Sequence, residues 1–192
     1  MNIHDILLQS DAAKLGEFEP FSGTKVPIYF DISAIISNPR YFDIITDMLA
    51  DKIREINPDK IAGAFTSGIP LATALCLKTN IPMVFIRRES KQYGFKNAIE
   101  GQLESGETVV LVDDMITELK HNESFIDAIN STGAKTINFL VVMDYNLGAK
   151  EALNLQNIGL ESLTTFDDII TTMSKRGILT KQKAKELISN RK

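Results

Sequence analysis

The stretch VVLVDDMIT, residues 109–117, decides the fold. Val109 to Val112 run without a polar interruption, and two acids, Asp113 and Asp114, follow directly. A strand that is apolar at every position has no wet face, so it belongs in a sheet covered on both sides. Its carboxyl end then delivers two neighbouring carboxylates to one rim of that sheet. Such a pair is costly to bury unless cations or hydroxyl donors offset its charge. Ribose hydroxyls can donate to carboxylates, and Mg2+ can sit nearby through water. The alternative is that Asp114 caps the helix that follows and Asp113 is merely solvated. The stretch alone does not separate the two.

On either side, short apolar runs alternate with helical patterns. Strands are predicted at 61–65, 82–86, 108–112, 136–142 and 160–165, and helices at 69–79, 121–132, 148–156, 166–174 and 180–190. That alternation predicts an α/β fold, a parallel sheet with helices on both faces. In such sheets ligands bind beyond the carboxyl ends of the strands. The loops of interest therefore follow Phe65, Ile86, Val112 and Met143, and the longest runs from Arg87 to Glu107. Upstream, Ile44, Ile45, Met48, Leu49, Ile53 and Ile56 recur at spacings of three and four, which predicts an amphipathic helix over 40–56. Residues 1–16 read as a short helix ending at Gly16, and residues 17–33 as a Gly/Pro-punctuated segment with β-type runs such as IYF at 28–30.

Two of those loops carry chemistry of their own. In IRRESKQYG, residues 86–94, Arg87 leaves a strand end and Arg88 and Lys91 follow. Arginine forks match phosphate oxygens in pairs, and a mobile lysine can neutralise developing charge. Gly94 and Gly101 give this loop freedom to close; the alternative is a solvated basic loop. In FTSGIPLA, residues 65–72, a strand turns into a helix. Ser67 and Gly68 can offer backbone N–H groups to a phosphate at the helix N-terminus, and Pro70 suits the first turn. The alternative is an ordinary tight turn.

Composition narrows the class. A chain of 192 residues makes one domain, and 44% apolar with 24% charged residues is the balance of a globular protein in water. No apolar run approaches the length of a transmembrane helix. The N-terminus, MNIHDILLQSDAAKLGEF, lacks a basic region followed by an apolar run, so no secretory signal is expected and a cytoplasmic location is. One cysteine, Cys76, and two histidines, His4 and His121, leave no disulfide framework and little for a metal centre. The net charge of −4 is uneven: residues 87–96 carry +3 and residues 175–192 carry +6, leaving −13 elsewhere. An acidic body with a basic loop points to an anionic ligand there rather than to nucleic acid. The basic tail reads as a solvated helix face, Lys181, Lys183 and Lys185, with Arg191 and Lys192 near its C-terminal dipole.

Taken in order, these segments resemble the orotate phosphoribosyltransferases, of the type I phosphoribosyltransferase fold. The segments that match are LGEFEPFSGTKVPIYF (15–30), the turn at 65–72, RRESKQYG (87–94), VDDMIT (112–117), MDYNLGAKEAL (143–153) and SLTTFDDII (162–170). The resemblance implies a five-stranded parallel sheet flanked by helices, with a small N-terminal hood. Residues 1–36 would form the N-terminal helix and hood, 37–174 the core and 175–192 a basic C-terminal helix, as a single domain. It implies transfer of ribose 5-phosphate from phosphoribosyl pyrophosphate (PRPP) to orotate, giving orotidine 5′-monophosphate and pyrophosphate. Asp113 and Asp114 would bind the ribose hydroxyls. Arg87, Arg88 and Lys91 would address the pyrophosphate, with Lys91 the catalytic residue, and Ser67 and Gly68 would help bind PRPP. Thr117 would serve both PRPP and the base, with Lys25, Tyr29, Phe30 and Tyr145 on the base side. Mg2+ would arrive on PRPP near Asp113 and Asp114 with no direct protein ligand. The family also implies a homodimer whose mobile loop reaches the neighbour's site, with no membrane or nucleic-acid partner.

Some positions depart from that pattern. The family follows Thr117 with a small glycine-containing turn that wraps the ribose 5′-phosphate; here Glu118, Leu119, Lys120 and His121 stand there. Ser67, Tyr145 and Phe21 occupy places where the family carries a lysine, an arginine and a lysine, and Lys25 is expected to replace the last of these. Three readings follow: an orotate phosphoribosyltransferase, a relative that has lost this reaction and binds a nucleotide or PRPP as a sensor or partner, and a phosphoribosyltransferase for another base. The first is the principal one.

Overall fold

Asn2 and Asp5 cap one another's backbone. Asn2 Oδ1 accepts the Asp5 N–H at 2.9 Å, and Asp5 Oδ2 accepts the Asn2 N–H at 3.3 Å. This reciprocal box starts α1 (Ile3–Gln9). The computed structural model describes residues 1–18, 26–87 and 98–189. It divides into two units, Met1–Ile45 and Thr46–Lys192.

The first unit corrects the helix expected over residues 1–16. α1 stops at Gln9, Asp11 takes a left-handed φ of 54°, and Ala13–Phe18 becomes strand β1. β1 pairs antiparallel with β2 (Val26–Phe30), placing Ala13 opposite Phe30 and Lys14 opposite Tyr29. Gly16 therefore lies inside a strand. Pairing with a partner distant in sequence outweighs the local helical preference of this stretch, and no local pattern reveals that partner. Beyond β2, Asp31 accepts hydrogen bonds from the Ser33 hydroxyl and from Lys14 Nζ at 2.9 Å. These two donors hold its carboxyl below the usual range. The short α2 (Ser33–Ile36) follows, and then α3 (Pro39–Ile56), with proline at its first position and Ile45, Leu49 and Ile53 buried along one face.

The second unit contains β3 (Lys60–Ala64), α4 (Gly68–Thr79), β4 (Met83–Ile86), β5 (Ile99–Glu100) and β6 (Thr108–Ile116). It continues with α5 (Glu123–Asn130), β7 (Lys135–Asp144), α6 (Ala149–Leu155), β8 (Gly159–Thr165), α7 (Phe166–Lys175) and α8 (Lys181–Ser189). The order across the sheet is β5-β4-β3-β6-β7-β8. β4, β3, β6, β7 and β8 run parallel, as expected, and β5 adds an antiparallel edge with Glu100 opposite Phe85. The five-stranded expectation thus becomes six. Two residues are too few to leave an apolar signature, so β5 reads in sequence as part of a long loop.

Helix α4 packs over β3, β4 and β6, α5 over β7, and α6 and α7 over β8. Ile61, Leu111, Phe139 and Val141 are fully buried in the central strands, each large apolar side chain contributing about 1.5–3 kcal/mol. The rim opposite the site is pinned by Asp59, whose Oδ2 accepts the Thr108 N–H at 2.8 Å and its hydroxyl at 2.7 Å. That tie fixes the start of β6 beside the start of β3.

Candidate functional site

The strand order reverses between β3 and β6. From β3 the chain crosses to β4 on one side, and β6 returns to the other side of β3. A reversal of this kind opens a crevice beyond the carboxyl ends of the two strands. Those ends are the turn Phe65–Ser67 and the run Asp113–Thr117.

Close approach of α4 to β6 depends on glycine. A Cβ on Gly68 would overlap the Val112 carbonyl oxygen, and one on Gly63 would stand 2.9 Å from the Gly68 oxygen and the Ile69 Cα. The N-terminus of α4 is therefore seated against the end of β6. The Phe65–Thr66 peptide that leads into it is cis. Ser67 stands at the N-cap of α4 but makes no side-chain cap. It lies near Asp114, where its side chain favours the ionised carboxylate.

The two acids differ in their surroundings. Asp113 is 8% exposed. Its Oδ1 accepts the Asp114 N–H at 2.9 Å, and its Oδ2 lies 3.4 Å from Asn122 Nδ2. Asp114 is half-buried, and its Oδ1 accepts the Met115 N–H at 2.8 Å. Burial first, and the neighbouring Asp114 charge second, push the Asp113 carboxyl well above the ordinary aspartate value. Burial also raises Asp114. Among the described residues the donors to this pair are two backbone N–H groups and the Asn122 amide, which leaves lone pairs for hydroxyl groups of a ligand. The alternative in which Asp114 caps a helix is corrected: β6 continues to Ile116, and α5 begins only at Glu123.

After Ile116 the half-buried Thr117 leads into a 3-10 turn, Leu119–His121, with Leu119 buried and Lys120 ion-paired to Glu118. No residue between Gly106 and Gly133 takes a positive φ, so the turn is right-handed throughout. Tyr145 leaves the end of β7, donates its N–H to the Ile116 carbonyl at 2.9 Å, and packs its ring on Phe166 with centroids 5.3 Å apart. Arg87 leaves the end of β4. Its N–H donates to the Ala98 carbonyl at 2.8 Å, and its Nε reaches Glu100 at 3.0 Å.

Ser67, Gly68, Asp113, Asp114 and Thr117 thus gather at the β3 and β6 ends, and Tyr145 is tied to them through Ile116. Arg87 stands at the end of the adjacent β4. Tyr29 and Phe30 belong to the first unit, where Phe30 is fully buried and Tyr29 is 39% exposed. Lys25, Arg88 and Lys91 lie outside the described residues, as do Phe21 and Gly94. Sequence reading missed Asn122. An asparagine just before a helix reads as a cap, and only the folded chain brings it to Asp113.

A family model described as a phosphoribosyl transferase domain matches residues 31–171. The chain is 34% identical over 166 residues to the orotate phosphoribosyltransferase of Natronomonas pharaonis, covering 86% of this chain and 94% of that one. It is 32% identical over 178 residues to the bifunctional enzyme PyrF/PyrE of a Nostoc species. That match covers 91% of this chain, which spans only 37% of the Nostoc protein's length. Among solved structures, the orotate phosphoribosyltransferase from Aeropyrum pernix superposes with a TM-score of 0.82 at 26% identity, covering 92% of this chain and 99% of that one.

Proposed function

The chain belongs to the phosphoribosyl transferase family, beside its orotate phosphoribosyltransferases, and from that membership we propose that it joins orotate to the ribose 5-phosphate of PRPP. The products are orotidine 5′-monophosphate and pyrophosphate. One placement carries this reading: Asp113 and Asp114 at the end of β6, with Ser67 of the α4 turn near Asp114, where the strand order reverses.

In this reading Asp113 and Asp114 accept hydrogen bonds from the ribose hydroxyls. The ligand then supplies further donors to the buried pair. The bond from the ribose C1′ to the diphosphate oxygen breaks, its electron pair leaves with pyrophosphate, and a bond from C1′ to the orotate ring nitrogen forms as that nitrogen's proton passes to pyrophosphate or solvent. The ribose acquires oxocarbenium character on the way, and the growing negative charge falls on the diphosphate. Arg87, Arg88 and Lys91 answer that charge, with Lys91 as the catalytic cation, and the backbone of Ser67 and Gly68 helps hold the diphosphate. Thr117 sits between sugar and base. Tyr145 lies on the base side, and the family resemblance assigns Lys25, Tyr29 and Phe30 to the base as well.

Mg2+ fits this scheme as a companion of PRPP. Among the described residues no group of three His, Cys, Asp or Glu is placed to hold a metal ion. In this reading the ion takes its ligands from the substrate and water near Asp113 and Asp114, and when bound it would neutralise part of the diphosphate charge. We place the protein in the cytoplasm, acting as a homodimer. No helix among the described residues is long and apolar enough to cross a membrane.

The test is direct. Purified protein supplied with PRPP, Mg2+ and orotate should consume orotate and release orotidine 5′-monophosphate. A rate no higher than that of an Asp113→Ala/Asp114→Ala variant would overturn the proposal.

A further inference from the structure

Asn122 immediately precedes α5, where an asparagine side chain ordinarily accepts the N–H two or three residues on. Its side chain makes no such bond. It is 7% exposed, and its Nδ2 lies 3.4 Å from Oδ2 of Asp113. A carboxylate only accepts, so the amide presents its NH2 group to Asp113. The backbone holds Asn122 in place. Its N–H donates to the Leu119 carbonyl at 2.8 Å, and its own carbonyl accepts the Phe125 N–H at 3.0 Å. Leu119 is buried, which anchors the turn that carries Asn122. The other oxygen of Asp113 is held by the Asp114 N–H at 2.9 Å. Among the described residues each carboxylate oxygen of Asp113 therefore has one donor, one from the next residue and one from nine residues further on. The charged groups nearest along the chain are Asp114 on the same strand, Glu118 and Lys120 on the connecting turn, paired to each other, and Glu123 at the start of α5, with the titratable His121 between them.

We propose that Asn122 is a positioning residue for the donor sugar. It fixes the plane of the Asp113 carboxylate so that its remaining lone pairs meet the ribose hydroxyls of PRPP. The inference rests on the phosphoribosyl reading above and extends it to a residue that never touches the reacting atoms. The helix gives up a side-chain cap to keep this contact.

The experiment compares wild-type protein with Asn122→Leu, which keeps the volume and removes the donor, and Asn122→Gln, which keeps an amide. Steady-state kinetics in both substrates, calorimetry of PRPP–Mg2+ binding and thermal melts are measured on each. Asn122→Leu should raise the KM and Kd for PRPP about 10-fold, the scale of one lost hydrogen bond of about 1.4 kcal/mol, and leave the KM for orotate within about 2-fold. Asn122→Gln should recover part of that loss. Unchanged PRPP affinity in Asn122→Leu overturns the inference, as does an equal rise in both KM values. If Asn122→Leu does not fold, Asn122→Gln decides the matter: an affinity for PRPP equal to wild type together with a melting temperature as low as a purely structural change would give overturns it, and weakened PRPP binding at a native melting temperature supports it. Wild-type protein that binds PRPP but leaves orotate untouched would overturn the assigned reaction while the PRPP affinities still judge Asn122. Wild-type protein that binds no PRPP would overturn both.

Discussion

Asp113 is held in a state that favours folding and binding at different pH. Burial and the adjacent Asp114 raise its pKa, so the folded protein holds its proton at a pH where the unfolded chain has released it. Stability from this group is therefore greatest below the ordinary aspartate value and falls as pH rises through the raised one. Binding of sugar hydroxyls needs the ionised form, so the acid limb of kcat/KM should lie above the pH expected of an ordinary aspartate; a pH–rate profile checks this. Asp113→Asn removes the buried charge. It should raise the melting temperature of the ligand-free protein near neutral pH, by roughly 2–4 °C for each kcal/mol recovered, while weakening PRPP binding about 10-fold or more. Melts and calorimetry on the same preparation test both halves. Glu118 offers a second residue to probe. Its carboxylate sits on the turn after Thr117 and is held below the ordinary glutamate value by Lys120, so it stays charged. Glu118→Gln should tighten PRPP binding, with the gain shrinking as salt is added.

The fit of α4 against β6 depends on atoms that Gly68 does not have. Gly68→Ala places a methyl group on the Val112 carbonyl, a backbone atom that cannot swing aside. The expected cost is about 1–3 kcal/mol of stability, with a matching fall in PRPP affinity as the start of α4 is pushed from Asp114; denaturant unfolding and calorimetry report the two effects. The Lys52–Glu161 ion pair, which links α3 to β8 at 3.1 Å, makes a useful contrast. Both side chains are well exposed, so Lys52→Ala should change stability by less than about 1 kcal/mol in the same unfolding assay. These elements were largely legible beforehand. β3, β4, β6 and β7 announce themselves as apolar runs, and α3 by its three-and-four spacing. α1 was overextended and β1 missed because hairpin pairing is a property of two segments, and neither carries it alone.

Ligand binding should act on the chain's stability by mass action. At PRPP–Mg2+ near 100 times its Kd, about 2.7 kcal/mol is added to unfolding, a shift of several degrees in the melt. The Asp113→Ala/Asp114→Ala variant should show no such shift at the same ligand concentration. A shift of equal size in that variant would place the PRPP contacts elsewhere.

Periodicity and apolar runs are local quantities. They suffice for the parallel sheet, for its order of strands and helices, and for two acids at a strand's end, because burial on both faces demands unbroken apolar stretches and a buried strand must end in something polar. The identity of the neighbours is a different matter. That Ser67 comes near Asp114, that Asn122 forgoes its helix to meet Asp113, and that Gly68 leaves room for the Val112 carbonyl all depend on segments up to tens of residues apart meeting at the reversal between β3 and β6. Those meetings are set by which strands pair and how closely a helix can approach them, and three-dimensional packing alone resolves that.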